Sequence, residues 1–156
     1  MIKILFVCLG NICRSPLAEA IFKQKIKENR LESKISCDSA GTANYHIGET
    51  PDPRTIEVAS NHQVSVDHFG QQFKKKHQEE FTYLIAMDQS NMRNMISEMG
   101  IDSDSLFLMR DFDLKGKGED VPDPWFGGMN GFEDVFQILD RSTDELLTYL
   151  RQKHDL

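Results

Sequence analysis

The chain reads as a single α/β domain spanning residues 1–156, doubly wound, with a four-stranded parallel sheet of flavodoxin-like connectivity and helices on both faces. Three observations predict this. Short apolar runs alternate with amphipathic stretches, and the series begins with a run. The first run, Ile2 to Val7, is of the kind that a strand covered on both faces requires. The length suits one domain with a real core, and neither internal repeats nor low-complexity segments interrupt it.

Each element follows in order. After the first strand, a helix runs from about Pro16 to Asn29, with Leu17, Ala18, Ile21, Phe22 and Ile26 on one side and Lys23, Lys27 and Glu28 mostly on the other. Lys34 to Asp38 is a short second strand leading into Ser39-Ala40-Gly41-Thr42. Asn44 to Gly48 is a loop exposing Tyr45, and Pro51-Asp52-Pro53-Arg54 opens a helix that ends near Asn61. Lys74-Lys75-Lys76-His77 reads as a solvated charge run before Glu79 and Glu80. Tyr83 to Met87 is the third strand, and Asp88 stands where it can cap a helix carrying Met92, Met95, Ile96 and Met99, a stripe that reads as core. Leu106 to Met109 is the fourth strand. Arg110 to Pro124 is a polar loop longer than a connection needs, and such loops in α/β domains tend to carry function. An amphipathic helix from about Phe132 to Lys153 closes the chain, burying Val135, Phe136, Leu139, Leu146, Leu147 and Leu150. In this architecture the site belongs at the strand C-termini, where strand order reverses.

The stretch Cys8-Leu9-Gly10-Asn11-Ile12-Cys13-Arg14-Ser15-Pro16 occupies that place. A loop between a strand and a helix start aims its N–H groups, backed by the helix dipole, at one spot and makes an anion site. The C-x5-R spacing puts a thiol at one end and a guanidinium at the other. Arg14 offers a fork for two phosphate oxygens, and the amides of Leu9, Gly10, Asn11, Ile12, Cys13, Arg14 and Ser15 favour Cys8 as a thiolate nucleophile. Gly10 and Asn11 are residue types that accept positive φ. Ser15 reads as the helix cap or as a donor to the Cys8 sulfur, and Pro16 suits the first turn. Far downstream, prolines on both sides of Asp123 fix its backbone, and the neighbouring Trp125 and Phe126 would desolvate its carboxyl. A phosphotransfer site needs an acid for the departing oxygen; Asp123 is the candidate and Asp120 the rival. Read alone, Asp123-Pro124-Trp125 is also a plain turn followed by two core aromatics.

The decapeptide Val7 to Pro16, with Asp123-Pro124-Trp125 downstream, resembles the low-molecular-weight protein tyrosine phosphatase family. Asp38-Ser39-Ala40-Gly41-Thr42, Pro51-Asp52-Pro53-Arg54 and Ala86-Met87-Asp88 stand in the family's order, so the resemblance covers essentially the whole chain. It implies hydrolysis of phosphotyrosine in proteins through a phosphocysteine intermediate, with Cys8 as nucleophile, Arg14 and the loop amides on phosphate, and Asp123 as general acid and base. It further implies that Ser39 and His68 brace Asn11, that Ile12, Tyr45, Trp125 and Phe126 line a slot for a flat leaving group, and that Cys8 and Cys13 can pair under oxidation. From residues alone, Ser39 is an ordinary turn residue, and His62 and His68 are polar groups near helix ends.

Composition sets the outer bounds. A net charge of −7 argues against nucleic acid or an anionic membrane as partner. Three cysteines without a secretory pattern point to a reducing, cytoplasmic setting and free thiols. No Cys/His spacing suits zinc, so neither metal nor cofactor is expected, and the oligomeric expectation is a monomer or weak homodimer. Rival readings are a protein arginine phosphatase, a catalytically dead phosphopeptide-binding module, and a thiol-dependent arsenate reductase. The last relays a disulfide through late cysteines, and this chain has none after Cys37.

Overall fold

The first apolar run becomes an interior strand. In a computed structural model that describes residues 1–156, β1 (Ile2–Cys8) pairs in parallel with β2 (Ile35–Gly41) on one side and β3 (Tyr83–Ala86) on the other. β4 (Leu106–Leu108) completes a parallel sheet of order β2-β1-β3-β4. Alternation along β1 sends Ile4, Phe6 and Cys8 to one face and Leu5 and Val7 to the other; all five are buried, so the run is apolar because both faces are covered.

The helices divide between those faces. α1 (Arg14–Glu28), α2 (Pro53–Asn61) and α5 (Met129–His154) pack around the first, where Leu17, Ile21, Phe22, Phe132, Val135 and Leu139 meet Ile4 and Phe6. Full burial of an apolar side chain of this size contributes about 1.5–3 kcal/mol, and α5 supplies the longest row of them. On the second face, α4 (Gln89–Met99) brings Met95 and Met99 against Leu5, Val7, Leu84 and Ala86, so the methionine stripe is core. Two helix starts are fixed by the aspartates in front of them: the Asp52 side chain accepts from Arg54 N at 2.8 Å, and Asp88 Oδ1 accepts from Asn91 N at 2.7 Å. No helix is long and apolar enough to cross a membrane.

Several boundaries differ from the sequence expectation. β2 continues through Ser39-Ala40-Gly41, pairing Phe6 with Ser39 and Cys8 with Gly41, because small side chains let it run tight beneath the loop after β1. A Cβ on Gly41 would stand 2.7 Å from Leu9 O. β4 stops at Leu108, Met109–Phe112 forms one turn of 3-10 helix, and α5 begins at Met129, one turn before the apolar pattern starts. The charge run is solvated only through Lys76. His77, first residue of the short α3 (His77–Glu80), is buried and stacks on Phe73 at 5.5 Å, and burial pushes its pKa down.

Candidate active site

Cys8 is the last residue of β1, between the strands reached by the two directions of winding, which is the switch point of the sheet. Leu9–Cys13 forms the loop and α1 starts at Arg14. Of the two residues suited to positive φ, only Asn11 uses it, at φ 57°. Gly10 serves space instead: a Cβ there would lie 3.2 Å from Cδ2 of His46. Asn11 is buried, and its side chain has four partners. Nδ2 donates to Ser15 Oγ at 2.8 Å and Ser39 Oγ at 3.0 Å, while Oδ1 accepts from His68 Nε2 at 2.7 Å and Gln71 N at 3.0 Å. A left-handed residue held from four directions fixes the curl of the loop.

That curl leaves donors free. The amides of Leu9, Gly10, Ile12 and Cys13 donate to no acceptor in the protein, and the first N–H groups of α1 add to them, as at any helix start. Asn11 N points at Cys8 Sγ from 3.3 Å, and Ser15 Oγ lies 3.0 Å from the same sulfur. Ser15 is therefore inside the helix and against the thiol, not a cap; Cys13 occupies the cap position and makes no side-chain cap bond. Burial, then the Asp52 carboxylate, pushes Cys13 up to about 12, so the loop's two thiols differ in kind.

Arg14 is nearly inaccessible, and its fork is held from behind. Nη1 donates to Asp88 Oδ2 at 2.7 Å and to Val121 O at 2.9 Å, while Nη2 stands 3.8 Å from Asp123 Oδ2. Burial works against the charge, but Cys8, Asp88 and Asp123 outweigh it and hold the guanidinium above its ordinary pKa. The Asp123 carboxyl is 43% exposed and accepts from Trp125 N at 3.1 Å, so the expected desolvation by its aromatic neighbours is not met. Asp120 is excluded from the cleft, because its carboxylate accepts from Gln89 N at the start of α4.

A cleft of about 340 Å³ opens above Cys8, with Ile12, Tyr45, Trp125 and Phe126 in its walls and Asp123 on its rim. Trp125 and Phe126 are exposed, 40% and 96%, which rules out the reading of them as core. Beneath the loop, His68 Nδ1 faces Glu19 Oε1 at 3.0 Å, and Ser39 Oγ donates to Glu19 Oε1 at 2.7 Å. Burial alone would raise Glu19; hydrogen bonds from His68 and Lys23 outweigh it and hold the carboxyl below its usual range.

Sequence reasoning missed Glu19, the second role of Asp88, His46 and Arg54. Glu19 interrupts an otherwise apolar turn of α1, a weak signal. Asp88 follows β3 at the carboxyl edge, where site residues collect. Arg54 lies 5.5 Å from the Trp125 ring and donates to Gly127 O at 3.1 Å, a contact across the fold that no local pattern announces.

Fold and site together define an α/β enzyme with a thiol at the floor of an anion cradle. Residues 3–156 match the family model for low molecular weight phosphotyrosine protein phosphatases. The low molecular weight phosphotyrosine protein phosphatase of Saccharomyces cerevisiae is 41% identical over 141 residues, 87% of each chain. A crystal structure of a protein tyrosine phosphatase from Entamoeba histolytica with Hepes in its active site superposes with a TM-score of 0.93 at 37% identity, covering 99% of each chain. An arginine phosphatase of Drosophila superposes with 0.88 at 29% identity, covering 96% of this chain and 98% of its own. The chain belongs to the low-molecular-weight phosphotyrosine protein phosphatase family, a family of hydrolases.

Proposed function

We propose that this enzyme hydrolyses phosphotyrosine in proteins by way of a phosphocysteine. The observation that carries the reading is that Cys8 Sγ, a ring of unpartnered amides, the pinned Arg14 fork and Asp123 face one cleft with aromatic walls. The cleft orients the phenyl ring between Tyr45, Trp125 and Phe126. Cys8 attacks phosphorus in line while Arg14 and the amides hold the equatorial oxygens, and Asp123 protonates the departing phenolic oxygen. Water then attacks the phosphocysteine with Asp123 as base, and the Ser15 hydroxyl donates to the sulfur as the S–P bond breaks. Having given up its proton in the first step, Asp123 is the carboxylate that takes the water's proton in the second, which restores the acid.

The test is turnover of phosphotyrosine, phosphoarginine and arsenate side by side, in wild type, Cys8→Ser and Asp123→Asn. Phosphotyrosine is the expected best substrate. Cys8→Ser should abolish turnover yet keep phosphate binding, and Asp123→Asn should lose about 10²–10⁴-fold on poor leaving groups and far less on activated aryl phosphates. A preference for phosphoarginine, or substantial activity in Cys8→Ser, overturns the assignment.

A further inference from the structure

Behind the rim that carries Asp123 lies an ion cluster that the chemistry above does not use. Asp113 is fully buried, and four hydrogen bonds converge on it. Arg110 Nε donates at 2.9 Å, Arg141 of α5 donates through Nε at 2.7 Å and Nη2 at 3.1 Å, and Lys115 N donates at 3.0 Å. Arg141 only fastens Asp113 to α5. Arg110 does more, because its remaining nitrogens reach forward along the chain: Nη1 donates to Asp120 O at 3.1 Å and Nη2 pairs with Glu119 Oε2 at 3.2 Å. The Arg110 carbonyl also accepts from Gly118 N at 2.9 Å. One side chain thus spans the loop from its buried anchor to the third residue before Asp123.

From Asp120 onward the path to the site is short and stiff. Val121 N donates to Met87 O at 2.8 Å, Val121 O accepts from Arg14, and Pro122 and Pro124 restrict the backbone on each side of Asp123. The guanidinium lies directly over Gly116, where a Cβ would collide with Arg110 Nη2 and Glu119 Oε2, and the glycine has no positive φ. The loop closes over Arg110 as over a template.

We infer that Arg110 is a positioning residue that sets where the Asp123 carboxyl stands relative to the leaving-group oxygen. The inference rests on the reading of Asp123 as the acid. Proton transfer depends on hydrogen-bond reach, and a displacement of about 1 Å costs on the order of 10²-fold. The Asp123 side chain is bonded solely to Trp125 N and stands 3.8 Å from Arg14, so its position is set by the backbone that Val121, the two prolines and the Arg110-held loop fix.

The experiment compares kcat on an activated and a poor-leaving-group aryl phosphate for Arg110→Met, Gly116→Ala, Arg141→Met and Asp123→Asn, with urea midpoints for each. Arg110→Met should lose about 10- to 100-fold on the poor leaving group and less than about threefold on the activated one, with the Ki for inorganic phosphate unchanged. Gly116→Ala displaces the guanidinium without touching its charge and should lose in the same selective way; it also serves if Arg110→Met fails to fold. Arg141→Met should lower the urea midpoint comparably without leaving-group selectivity. Added to Asp123→Asn, Arg110→Met should cost nothing further. Equal losses on both substrates, equal selectivity in Arg141→Met, or a full additional loss in the double variant overturns the role of Arg110. A nonselective loss in Asp123→Asn alone removes the acid assignment itself and the inference with it, a result distinguishable from the other three.

Discussion

Replacing Asn11 separates two contributions that the loop combines. Its side chain makes four hydrogen bonds from a buried position, and its backbone sits at φ 57°. At a net ~0.5–1.5 kcal/mol per bond, removing all four costs roughly 3 kcal/mol in either Asn11→Gly or Asn11→Ala. Alanine adds the steric cost of a Cβ in the left-handed region, about 1 kcal/mol, which glycine escapes. Asn11→Gly should therefore be the more stable of the two, the reverse of the usual order for these residues. With an m-value of about 2 kcal/mol/M in urea, the midpoints should fall by about 1.5 M for glycine and about 2 M for alanine. Phosphate at 100 times its Kd should raise wild-type stability by about 2.7 kcal/mol, and by much less in both variants, because the amides are no longer aimed together. Variants that match each other to within about 0.3 kcal/mol and keep the full phosphate increment would refute the idea that Asn11 holds the cradle.

Three further outcomes are expected. Cys13 is a free thiol on the same loop as Cys8 and should resolve an oxidised Cys8 as a disulfide; dithiothreitol after peroxide should restore wild type and not Cys13→Ser, and equal recovery would leave Cys13 as packing. Burial opposes ionisation of Asp113, but Arg141, Lys115 N and Arg110 hold its pKa at about 2, below an unfolded value near 3.9; its contribution, roughly 2 kcal/mol, is present above pH 4 and is lost as pH falls toward 2. Urea midpoints between pH 5 and 2 should accordingly fall less steeply in Asp113→Asn than in wild type. Ile12, 8% exposed in the cleft wall, offers a leaving group no hydrogen bond, so Ile12→Thr should shift kcat/KM toward phosphoarginine relative to phosphotyrosine, and an unchanged ratio would take the selection away from this residue.

What the sequence disclosed and what it hid divide along the range of the forces involved. The sheet was legible because burial on both faces leaves an apolar run that periodicity detects, and the cradle because Cys8, Asn11, Arg14 and Ser15 sit within one loop and one turn. Ser39-Ala40-Gly41 escaped as strand because tight approach to the Leu9 carbonyl selects small residues, which read as a turn. Ser15 showed its type but not its partner, since a hydroxyl at a helix start serves equally as cap or as donor to a thiol seven residues earlier. The deeper omissions are charges: Asp88 behind Arg14, Glu19 beneath His68, and Asp113 between two arginines. An isolated Asp or Glu reads as surface, and only a partner 28 to 74 residues away makes it worth burying. All three lie one step behind residues the motif did reveal, Arg14, Asn11 and the loop of Asp123, so the visible motif holds the groups proposed to react and the ion pairs it hides stand behind them. Substitutions at the hidden set should therefore spare the identity of the chemistry while loosening its geometry, which is the distinction that leaving-group dependence reads.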